Sequence, residues 1–373
     1  MNIKIITPDD GYNYFFGYYD LQPFSSDNRI HLAHRVKFCN RLPEKTDVAE
    51  VGYIDIKDRQ FVKVAETRAW NFQQGAFLRW FKQDESITFN DFDGEKYVAK
   101  IVSLNGEVLR VYDKPFAALS ENTGKALSVN FARIYDFRKG YGYCNISDPH
   151  FNENAPDDDG IFEIDLKTGA KRLVLSYFQM KSIFAQSPYT DQKLVVNHIT
   201  YSPSGRKFVY LLRNIDPEGK MWATMLATGT PDGETAGLTK FEVNSHYSWR
   251  NDEELMIYSG LPKWGIYFFD VITGRKVALN NPLTDKNDIH CNYSPDRRCF
   301  IGDGYIETDG KRHLYLYDFK KGVAKDLFAV YSMPVETDIR CDLHARWNIR
   351  GDKVSYDTSE NGIRQIATFD FKE

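Results

Sequence analysis

A short segment that recurs along the chain constrains its fold more than any other feature. The segment begins with histidine, has an aromatic residue three positions later, continues through a polar turn, and reaches an apolar residue seven positions after the aromatic one. The copies that carry the histidine start at His198, His246, His290 and His344. The same frame without histidine occurs near Phe24, Trp80 and Leu119, which makes seven copies. Each copy predicts a strand, a tight turn and a second strand.

Other alternating runs lie between these copies and predict further hairpins. Residues 160–176, 265–280 and 314–328 are examples, and each of them turns at a glycine. Each repeat therefore supplies about four strands, and four-stranded units repeated in this way are typical of a β-propeller. We predict an all-β fold, a seven-bladed β-propeller with four-stranded blades.

The two ends of the chain fit this prediction. The last repeat, residues 344–373, has room for three strands, and residues 2–7 can supply the fourth. We therefore expect the N-terminal strand to close the last blade, and residues 1–373 to form a single domain. Residues 138–160 are a polar insertion that we expect to form a long loop at one mouth of the channel. Residues 175–184 could form a short helix.

Composition excludes several classes of protein. Aromatic residues make up 15% of the chain and hydrophobic residues 42%, which is typical of a globular β-rich protein. A formal charge of -4 gives no overall attraction to nucleic acid or to an anionic membrane. The five cysteines form no CxxC pair, which favours reduced thiols. Because no apolar run matches a signal peptide or a membrane span, we expect a cytoplasmic protein. No feature predicts an oligomeric state.

The four aligned histidines are the strongest functional signal. Equivalent positions on the innermost strands of a propeller lie at similar height on the channel wall, so we expect these imidazoles to converge. Neutral imidazoles can bind a borderline metal such as Mn, Fe or Zn, or one of them can act as a general base. The alternative is that each histidine bonds a neighbouring backbone group and has no chemical role.

Arginines near the last of these histidines suggest an anionic ligand. Arg340 and Arg346 flank Asp342 and His344 in the segment 337–347. The planar fork of a guanidinium group matches a carboxylate, so a carboxylated ligand is favoured. Alternatively, Asp342 and Arg346 pair with each other or with neighbouring blades.

Weaker candidates lie in other blades. Arg213 and Lys220 stand on the outgoing strand and turn of the fourth blade, where solvation explains Lys220 equally well. Gln73 and Gln74 precede Gly75, so their amides either bind substrate hydroxyls or shape a turn. In the first blade, Arg35 is a weak candidate for binding substrate.

Three segments carry a resemblance to a known family. GYYDLQPFS, WNFQQGAFLRW and CDLHARW, together with the repeat and its histidines, resemble the propeller-fold polysaccharide lyases typified by oligogalacturonate lyases, and related bacterial propeller proteins. The likeness spans nearly the whole chain. It implies a seven-bladed propeller that cleaves short uronate oligosaccharides by β-elimination. It also implies manganese bound by channel histidines and a glutamine, with another histidine as base and an arginine nearby.

The resemblance can be carried over residue by residue. His290 and His344 match metal ligands and His246 matches the base, while Arg213 or Lys220 falls near the arginine. The family has a Gln-x-x-His-x-His pattern in its last blade, whereas residues 341–346 of this chain read Cys-Asp-Leu-His-Ala-Arg. A glutamine and a histidine ligand are therefore replaced, and Asp342 or His198 would have to substitute for them.

Elimination chemistry agrees with these residues. It requires a base to remove the proton next to a carboxylate, and a cation to neutralise the charge that develops. We therefore favour an enzyme that acts on an acidic oligosaccharide with a divalent metal, manganese in the first instance, or with Arg340 and Arg346 in its place.

Three different functions compete with this interpretation. A propeller glycoside hydrolase would need two facing carboxylates, for which Asp288, Asp303 and Asp342 are candidates. A hydrolase or isomerase that acts without metal on another carboxylated sugar is the second. A propeller that only binds sugar or protein is the third, and it would leave the four aligned histidines without a chemical role.

Overall fold

A computed structural model describes residues 1–215, 223–260, 262–333 and 338–371. Within these ranges the strands form seven four-stranded antiparallel sheets, accompanied by two short α-helices. The predicted all-β fold, a seven-bladed β-propeller, is confirmed. The chain divides into two compact units, Met1–Val111 with Asn281–Glu373, and Tyr112–Asn280, which we call the first and the second unit.

The first unit holds four blades. Its first two blades consist of β2 (Asn13–Phe15), β3 (Ile30–Val36), β4 (Ala49–Asp55) and β5 (Gln60–Thr67), and of β6 (Arg79–Phe81), β7 (Ser86–Phe92), β8 (Tyr97–Ser103) and β9 (Val108–Tyr112). Its last two blades consist of β22 (His290–Tyr293), β23 (Cys299–Asp303), β24 (Lys311–Asp318) and β25 (Val323–Tyr331), and of β26 (Arg346–Trp347), β27 (Lys353–Thr358), β28 (Gln365–Asp370) and β1 (Ile3–Ile5).

The second unit holds three blades. They consist of β10 (Ala118–Ser120), β11 (Lys125–Ser128), β12 (Gly160–Asp165) and β13 (Lys171–Ser176); of β14 (Lys193–Tyr201), β15 (Phe208–Ile215), β16 (Thr224–Gly229) and β17 (Thr235–Gly237); and of β18 (Asn244–Trp249), β19 (Glu254–Ser259), β20 (Gly265–Asp270) and β21 (Lys276–Ala278). A 3-10 turn spans Pro188–Asp191.

The last blade is closed by the N-terminal strand, as predicted. β1 pairs antiparallel with β28, with Ile3 opposite Phe369 and Ile5 opposite Ala367. This pairing satisfies backbone groups that would otherwise form an open sheet edge. The first and the last strand of the chain thereby lie in one sheet.

The aromatic residue of the repeat joins neighbouring blades. In three copies the indole nitrogen donates a hydrogen bond to the preceding blade: Trp80 to the Pro23 carbonyl at 3.0 Å, Trp249 to the Thr200 hydroxyl at 3.1 Å, and Trp347 to the Asn292 carbonyl at 3.2 Å. A large apolar ring with one polar group suits such a buried junction. The repeat therefore encodes the contact between blades as well as the hairpin.

The insertion is held by one buried arginine within the second unit. Helix α1 (Phe131–Phe137), which the sequence did not predict, precedes it and carries Arg133. The guanidinium group donates to the Asp148 carboxylate at 3.0 Å and to the carbonyls of Glu153 and Asn154 at 2.8 and 2.9 Å. A charged group is stable in the interior only when its donors are satisfied in this way. The buried side chain of Arg133 thus holds the 138–160 segment by hydrogen bonds to three of its residues.

A second helix agrees with the sequence prediction. α2 (Tyr177–Ile183) begins after Ser176, whose hydroxyl and Gln179 form a capping box.

In the described part of the chain, no helix is long and apolar enough to cross a membrane.

Candidate functional site

Three buried side chains of the first unit come together as possible metal ligands. They are His290 at the start of β22, and Asp342 and His344 in the segment before β26. Their nearest nitrogen and oxygen atoms all lie within 4.8 Å of one another. The two imidazole rings are perpendicular, with centroids 4.4 Å apart. Of the four predicted ligands, the structure therefore unites His290, His344 and Asp342, whereas His198 belongs to the second unit.

His344 is held in an unusual backbone conformation. Its φ of 44° lies in the left-handed region, where residues other than glycine are strained by about 1–3 kcal/mol. His198, at the same repeat position in the second unit, has the same φ. The Nδ1 atom of His344 lies 2.9 Å from the Gly17 carbonyl. Because Nδ1–H donates to this carbonyl, Nε2 carries the lone pair that a metal needs.

His290 faces a carboxylate on the neighbouring strand. Asp303 stands directly opposite His290 in the β22–β23 register, and its Oδ2 lies 3.4 Å from His290 Nδ1. The same oxygen accepts a hydrogen bond from the Leu343 backbone at 2.9 Å. A carboxylate behind an imidazole is the usual outer partner of a metal-binding histidine. Asp303 therefore contacts both His290 and the segment that carries Asp342 and His344.

Asp342 is paired with two arginines. Its Oδ1 lies 2.8 Å from Arg312 Nη1, and its Oδ2 lies 2.9 Å from Arg340 Nε. Burial alone would raise the pKa of Asp342, but the charges of Arg340 and Arg312 outweigh it and hold this pKa well below the usual range. The carboxylate is therefore ionised at neutral pH and able to ligate a cation.

Two tyrosines form an aromatic wall beside the histidines. The Tyr18 ring lies 5.1 Å from the His344 ring, and the Tyr19 ring lies 5.5 Å from the His290 ring. Asn292 on β22 donates to the Tyr19 carbonyl at 2.8 Å, which fixes this segment against the blade. Buried aromatic rings lower the local dielectric and strengthen electrostatic interactions inside the site.

The donor set fits a borderline divalent cation. Two imidazoles and one carboxylate are the combination that leaves several coordination positions open for ligands. Ligand atoms bound about 2.1 Å from a common ion lie at most about 4.2 Å apart, so the three donors need to contract only slightly. Behind these ligands, the Gly17 carbonyl accepts a hydrogen bond from His344, and the Asp303 carboxylate lies 3.4 Å from His290 Nδ1. Asp342 is thus placed where it could supply a third ligand beside the two histidines.

Arg340, a predicted substrate-binding residue, borders this group. It is 5% exposed, and its Nε is directed at Asp342. Its backbone carbonyl accepts hydrogen bonds from the Gln73 amide at 3.0 Å and from Arg364 Nη2 at 2.9 Å. Gln73, rather than the predicted Gln74, therefore reaches this segment. Gln74 is half-buried, and its backbone nitrogen donates to Asn71 Oδ1 at 2.7 Å.

Two further predicted substrate residues have other partners. Arg346 is buried, and its Nη2 lies 2.7 Å from Asp357 Oδ1. Asp342 and Arg346 thus do not pair with each other, whereas Asp342 does pair with the neighbouring blade, through Arg312 on β24. Arg35 pairs with Glu50, lies 3.6 Å from Asp10, and stacks on the Tyr12 ring at 4.5 Å.

The predicted base and its arginine lie in the second unit. His246 is 8% exposed and stands on β18 at an irregularity in its pairing with β19. Arg213 on β15 is buried, with its guanidinium 5.7 Å from the Phe137 ring centroid. His198 stacks on the Tyr247 ring with centroids 4.3 Å apart. Lys220 lies outside the described residues. The roles given to these residues stay predictions.

Sequence reasoning missed several residues that contact the possible ligands from other segments of the chain. Arg312, Tyr18 and Tyr19 stand outside the repeat position of the histidines, although both tyrosines belong to the GYYDLQPFS segment that carries the family resemblance. Asp303 was predicted only as a hydrolytic carboxylate, although hairpin pairing places it opposite His290. The register of the hairpin was the signal that could have identified it.

Comparison with known proteins supports the fold. No protein-family model and no curated protein matches this sequence. A structure of oligogalacturonate lyase in complex with manganese matches with a TM-score of 0.70 and 16% identity, covering 100% of this chain and 93% of that chain. An oligogalacturonate lyase from Vibrio parahaemolyticus matches with a TM-score of 0.68 and 15% identity, covering 100% and 94%. A prolyl endopeptidase structure matches with a TM-score of 0.56 and 12% identity, covering 96% and 47%. The predicted similarity to oligogalacturonate lyases is confirmed for the fold.

Proposed function

We propose that this protein is a metal-assisted lyase that cleaves a uronate-containing oligosaccharide by β-elimination. The observation that carries the proposal is the buried group of His290, Asp342 and His344 beside the guanidinium group of Arg340. Support comes from the oligogalacturonate lyase of similar fold, which is described in complex with manganese. A cation-binding group next to an arginine suits a substrate that bears a carboxylate.

The residues divide the chemistry between them. A divalent ion such as Mn²⁺, bound by His290, Asp342 and His344, would supply Lewis-acid polarisation of the substrate carboxylate. Arg340 binds this carboxylate and offsets the negative charge that develops on it. Its backbone is fixed by Gln73 and its Nε by Asp342, so the guanidinium group is already oriented before substrate arrives.

His246 serves as the general base in this proposal. It takes the proton from the carbon that bears the carboxylate, and the electrons of that C–H bond form a double bond to the adjacent carbon. The bond from the adjacent carbon to the bridging oxygen breaks, and the departing sugar oxygen takes up a proton. The assignment rests on the resemblance to oligogalacturonate lyases, in which His246 matches the base, and His246 stands on the first strand of its blade. Arg213, on β15, is the candidate for stabilising the transition state.

Arg346 is not assigned to substrate binding in this proposal, and Asp303 and Asp342 are not assigned as a hydrolytic pair. The guanidinium group of Arg346 is buried against Asp357, so we assign it to stability rather than to substrate. Asp303 and Asp342 are both buried, and each is engaged with residues of the candidate metal site. A hydrolase needs two carboxyl groups that face the substrate, whereas Asp342 is paired with Arg312 and Arg340 and Asp303 lies beside His290.

A substrate panel tests the proposed reaction. The protein is incubated with oligosaccharides of galacturonate, glucuronate and mannuronate in the presence of Mn²⁺. Both the ultraviolet absorbance of unsaturated uronate and the number of new reducing ends are followed. We expect the two signals to rise together on at least one substrate. New reducing ends without absorbance would show hydrolysis and overturn the proposal, as would silence of both signals on every substrate.

A further inference from the structure

An exposed tyrosine lies next to the candidate metal site in the first unit. Tyr305 stands in the hairpin between β23 and β24 and is 38% exposed, whereas Asp303 and Gly304 just before it are buried. A large ring that remains in contact with water gains little from folding. An exposed aromatic ring beside a cluster of buried polar groups is therefore a candidate binding surface.

The hairpin that carries Tyr305 is held firmly on both sides. The Gly304 carbonyl accepts a hydrogen bond from Arg312 Nη1 at 2.6 Å. A Cβ atom at Gly304 would approach the Asn287 Cβ to 2.7 Å, so the backbone passes too close for a side chain. On the other side, the Glu307 carboxylate accepts hydrogen bonds from Lys286 Nζ at 2.7 Å and Asn287 Nδ2 at 2.9 Å. The backbone position of Tyr305 is thereby fixed before any ligand binds, which lowers the entropic cost of binding.

Tyr305 is connected to the metal site through one residue. The guanidinium carbon of Arg340 lies 5.5 Å from the centroid of the Tyr305 ring. The Nε atom of Arg340 is 2.9 Å from Asp342 Oδ2. An aromatic ring and a carboxylate-binding guanidinium group therefore form a pair, with the guanidinium group over the ring, at the edge of the group of possible ligands.

The chemistry of this pair specifies a ligand with two features. An aromatic ring binds the apolar C–H face of a sugar ring by stacking, and a guanidinium group binds a carboxylate. A cyclic sugar acid offers both on one ring, whereas a neutral sugar lacks the carboxylate and an open-chain sugar acid lacks the rigid face. The pair therefore discriminates between ligands by the presence of a sugar ring as well as by the presence of a carboxylate.

We propose that Tyr305 is a specificity-determining residue that stacks on a uronate ring whose carboxylate binds Arg340. This inference rests on the proposed function for the identity of the substrate, but it concerns binding and does not require turnover. Tyr305 thus selects the cyclic form of the acid, and Arg340 selects its charge.

Binding of monosaccharides to the Mn²⁺-loaded protein tests this inference. Galacturonate has no glycosidic bond to cleave, so calorimetry measures its Kd without reaction, and gluconate serves as the open-chain acid. We expect the wild type to bind galacturonate more tightly than gluconate. Tyr305→Ala should weaken galacturonate binding about tenfold and leave gluconate binding unchanged. Tyr305→Phe should retain the wild-type Kd because it keeps the ring face.

Tyr331 provides the matched control. It is 56% exposed at the end of β25, on the outermost strand of the same blade, so Tyr331→Ala should change neither Kd. Equal affinity of the wild type for both acids, or an unchanged galacturonate Kd in Tyr305→Ala, would overturn the inference. If Tyr305→Ala loses its preference for the ring while no oligosaccharide yields unsaturated product, the inference stands and the proposed lyase activity fails. Melting temperatures of all variants verify that each is folded.

Discussion

Asp342 has two kinds of partner, and this double role makes it the most informative single residue. It is the carboxylate beside His290 and His344, and it also neutralises Arg312 and Arg340. Breaking a buried ion pair by removing one member leaves the other charge uncompensated in the interior. Metal binding and stability should therefore respond together when Asp342 is changed.

Asp342→Asn is expected to abolish stabilisation by Mn²⁺ and to destabilise the metal-free protein. The second effect should be about 3–5 kcal/mol, because two buried guanidinium groups lose their counter-charge. Urea unfolding with and without Mn²⁺ measures both. Asp357→Asn is the matched control, since Asp357 is also a buried aspartate paired with an arginine, Arg346. The control should lose stability yet keep the response to Mn²⁺, and a retained response in Asp342→Asn would remove Asp342 from the ligand set.

His246 and His290 are expected to separate catalysis from metal binding. His246→Ala should lower the rate of elimination by about 10²–10⁴-fold, because general-base catalysis typically contributes that factor. The increase in melting temperature of His246→Ala on addition of Mn²⁺ should match the increase seen for the wild type. His290→Ala should lose both the activity and the thermal response. The assignment of His246 as base is wrong if His246→Ala keeps most activity while His290→Ala and His344→Ala lose it.

Among the strands, β3 shows how alternation distributes buried polar groups. His31 and His34 are three positions apart and therefore point to opposite faces of the strand. His31 Nε2 lies 2.9 Å from the Ser355 hydroxyl in the last blade, and His34 Nε2 accepts a hydrogen bond from the Ala76 backbone at 3.0 Å in the second blade. Neither imidazole is exposed. Both histidines thus connect neighbouring blades through contacts of their ring nitrogens.

The burial of these histidines predicts a loss of stability in mild acid. Burial lowers the pKa of His31 to about 3, with a further contribution from the Arg346 charge, and lowers that of His34 to about 4. Between these values and about 6.5 the unfolded chain binds protons that the folded chain does not. Stability is therefore full above about pH 6.5 and falls as the pH decreases, by about 2 kcal/mol for each histidine at pH 5. Urea unfolding between pH 7 and pH 5 measures this slope.

Two histidine variants give the sign of the effect. His34→Gln should flatten the pH dependence, because the group that resists protonation is gone. His313, on β24, is opposite in sign: burial lowers its pKa, but Asp326 and Asp309 outweigh burial and raise it. Its contribution to stability is present in acid and is lost as the pH rises, so His313→Gln should steepen the loss of stability in acid. An unchanged slope in His34→Gln would contradict the assignment of this histidine as a buried neutral group.

For the whole molecule, closure of the last blade by β1 is the feature on which the fold depends most directly. Removing residues 1–6 should lower the free energy of unfolding by about 2–5 kcal/mol, since the β1–β28 ladder is lost, and should promote aggregation through the open β28 edge. The urea midpoint and light scattering measure the two effects. Removing only Met1 and Asn2, which are exposed and precede the strand, should leave both unchanged. Equal stability of the two truncated forms would contradict the role of β1.

Much of this architecture is predictable because it is repetitive. One repeat with a tight turn predicts the number of blades, the strands per blade and the closing strand, and it places His290 and His344 in equivalent positions. The sequence also predicts that Arg346 binds substrate, because its guanidinium group stands close to His344 and matches a carboxylate. In the structure, Arg346 instead contacts Asp357 on β27. This pairing depends on how the strands pack, so a local pattern cannot predict it.

Contacts between distant segments were the other part that local patterns missed. Arg312 and Tyr18 are far from Asp342 and His344 in sequence, and only the packed sheets bring them together. Helix α1 was missed because its seven residues, FARIYDF, are too short for helical periodicity to stand out from strand-like alternation. The proposed function depends more on Arg312 and Tyr18 than on helix α1, since these two residues set the charge and polarity around the possible ligands.

The most direct test of the central claim is the metal dependence of elimination. Chelator-treated wild type and Asp342→Asn are mixed with trigalacturonate, and ultraviolet absorbance of unsaturated uronate is followed before and after addition of Mn²⁺. We predict that absorbance is flat in both treated proteins, and that Mn²⁺ restores its rise in the wild type but not in Asp342→Asn. An equal rise in both proteins before Mn²⁺ is added would contradict a metal-assisted lyase and would leave Arg340 as the cation that acts on the carboxylate.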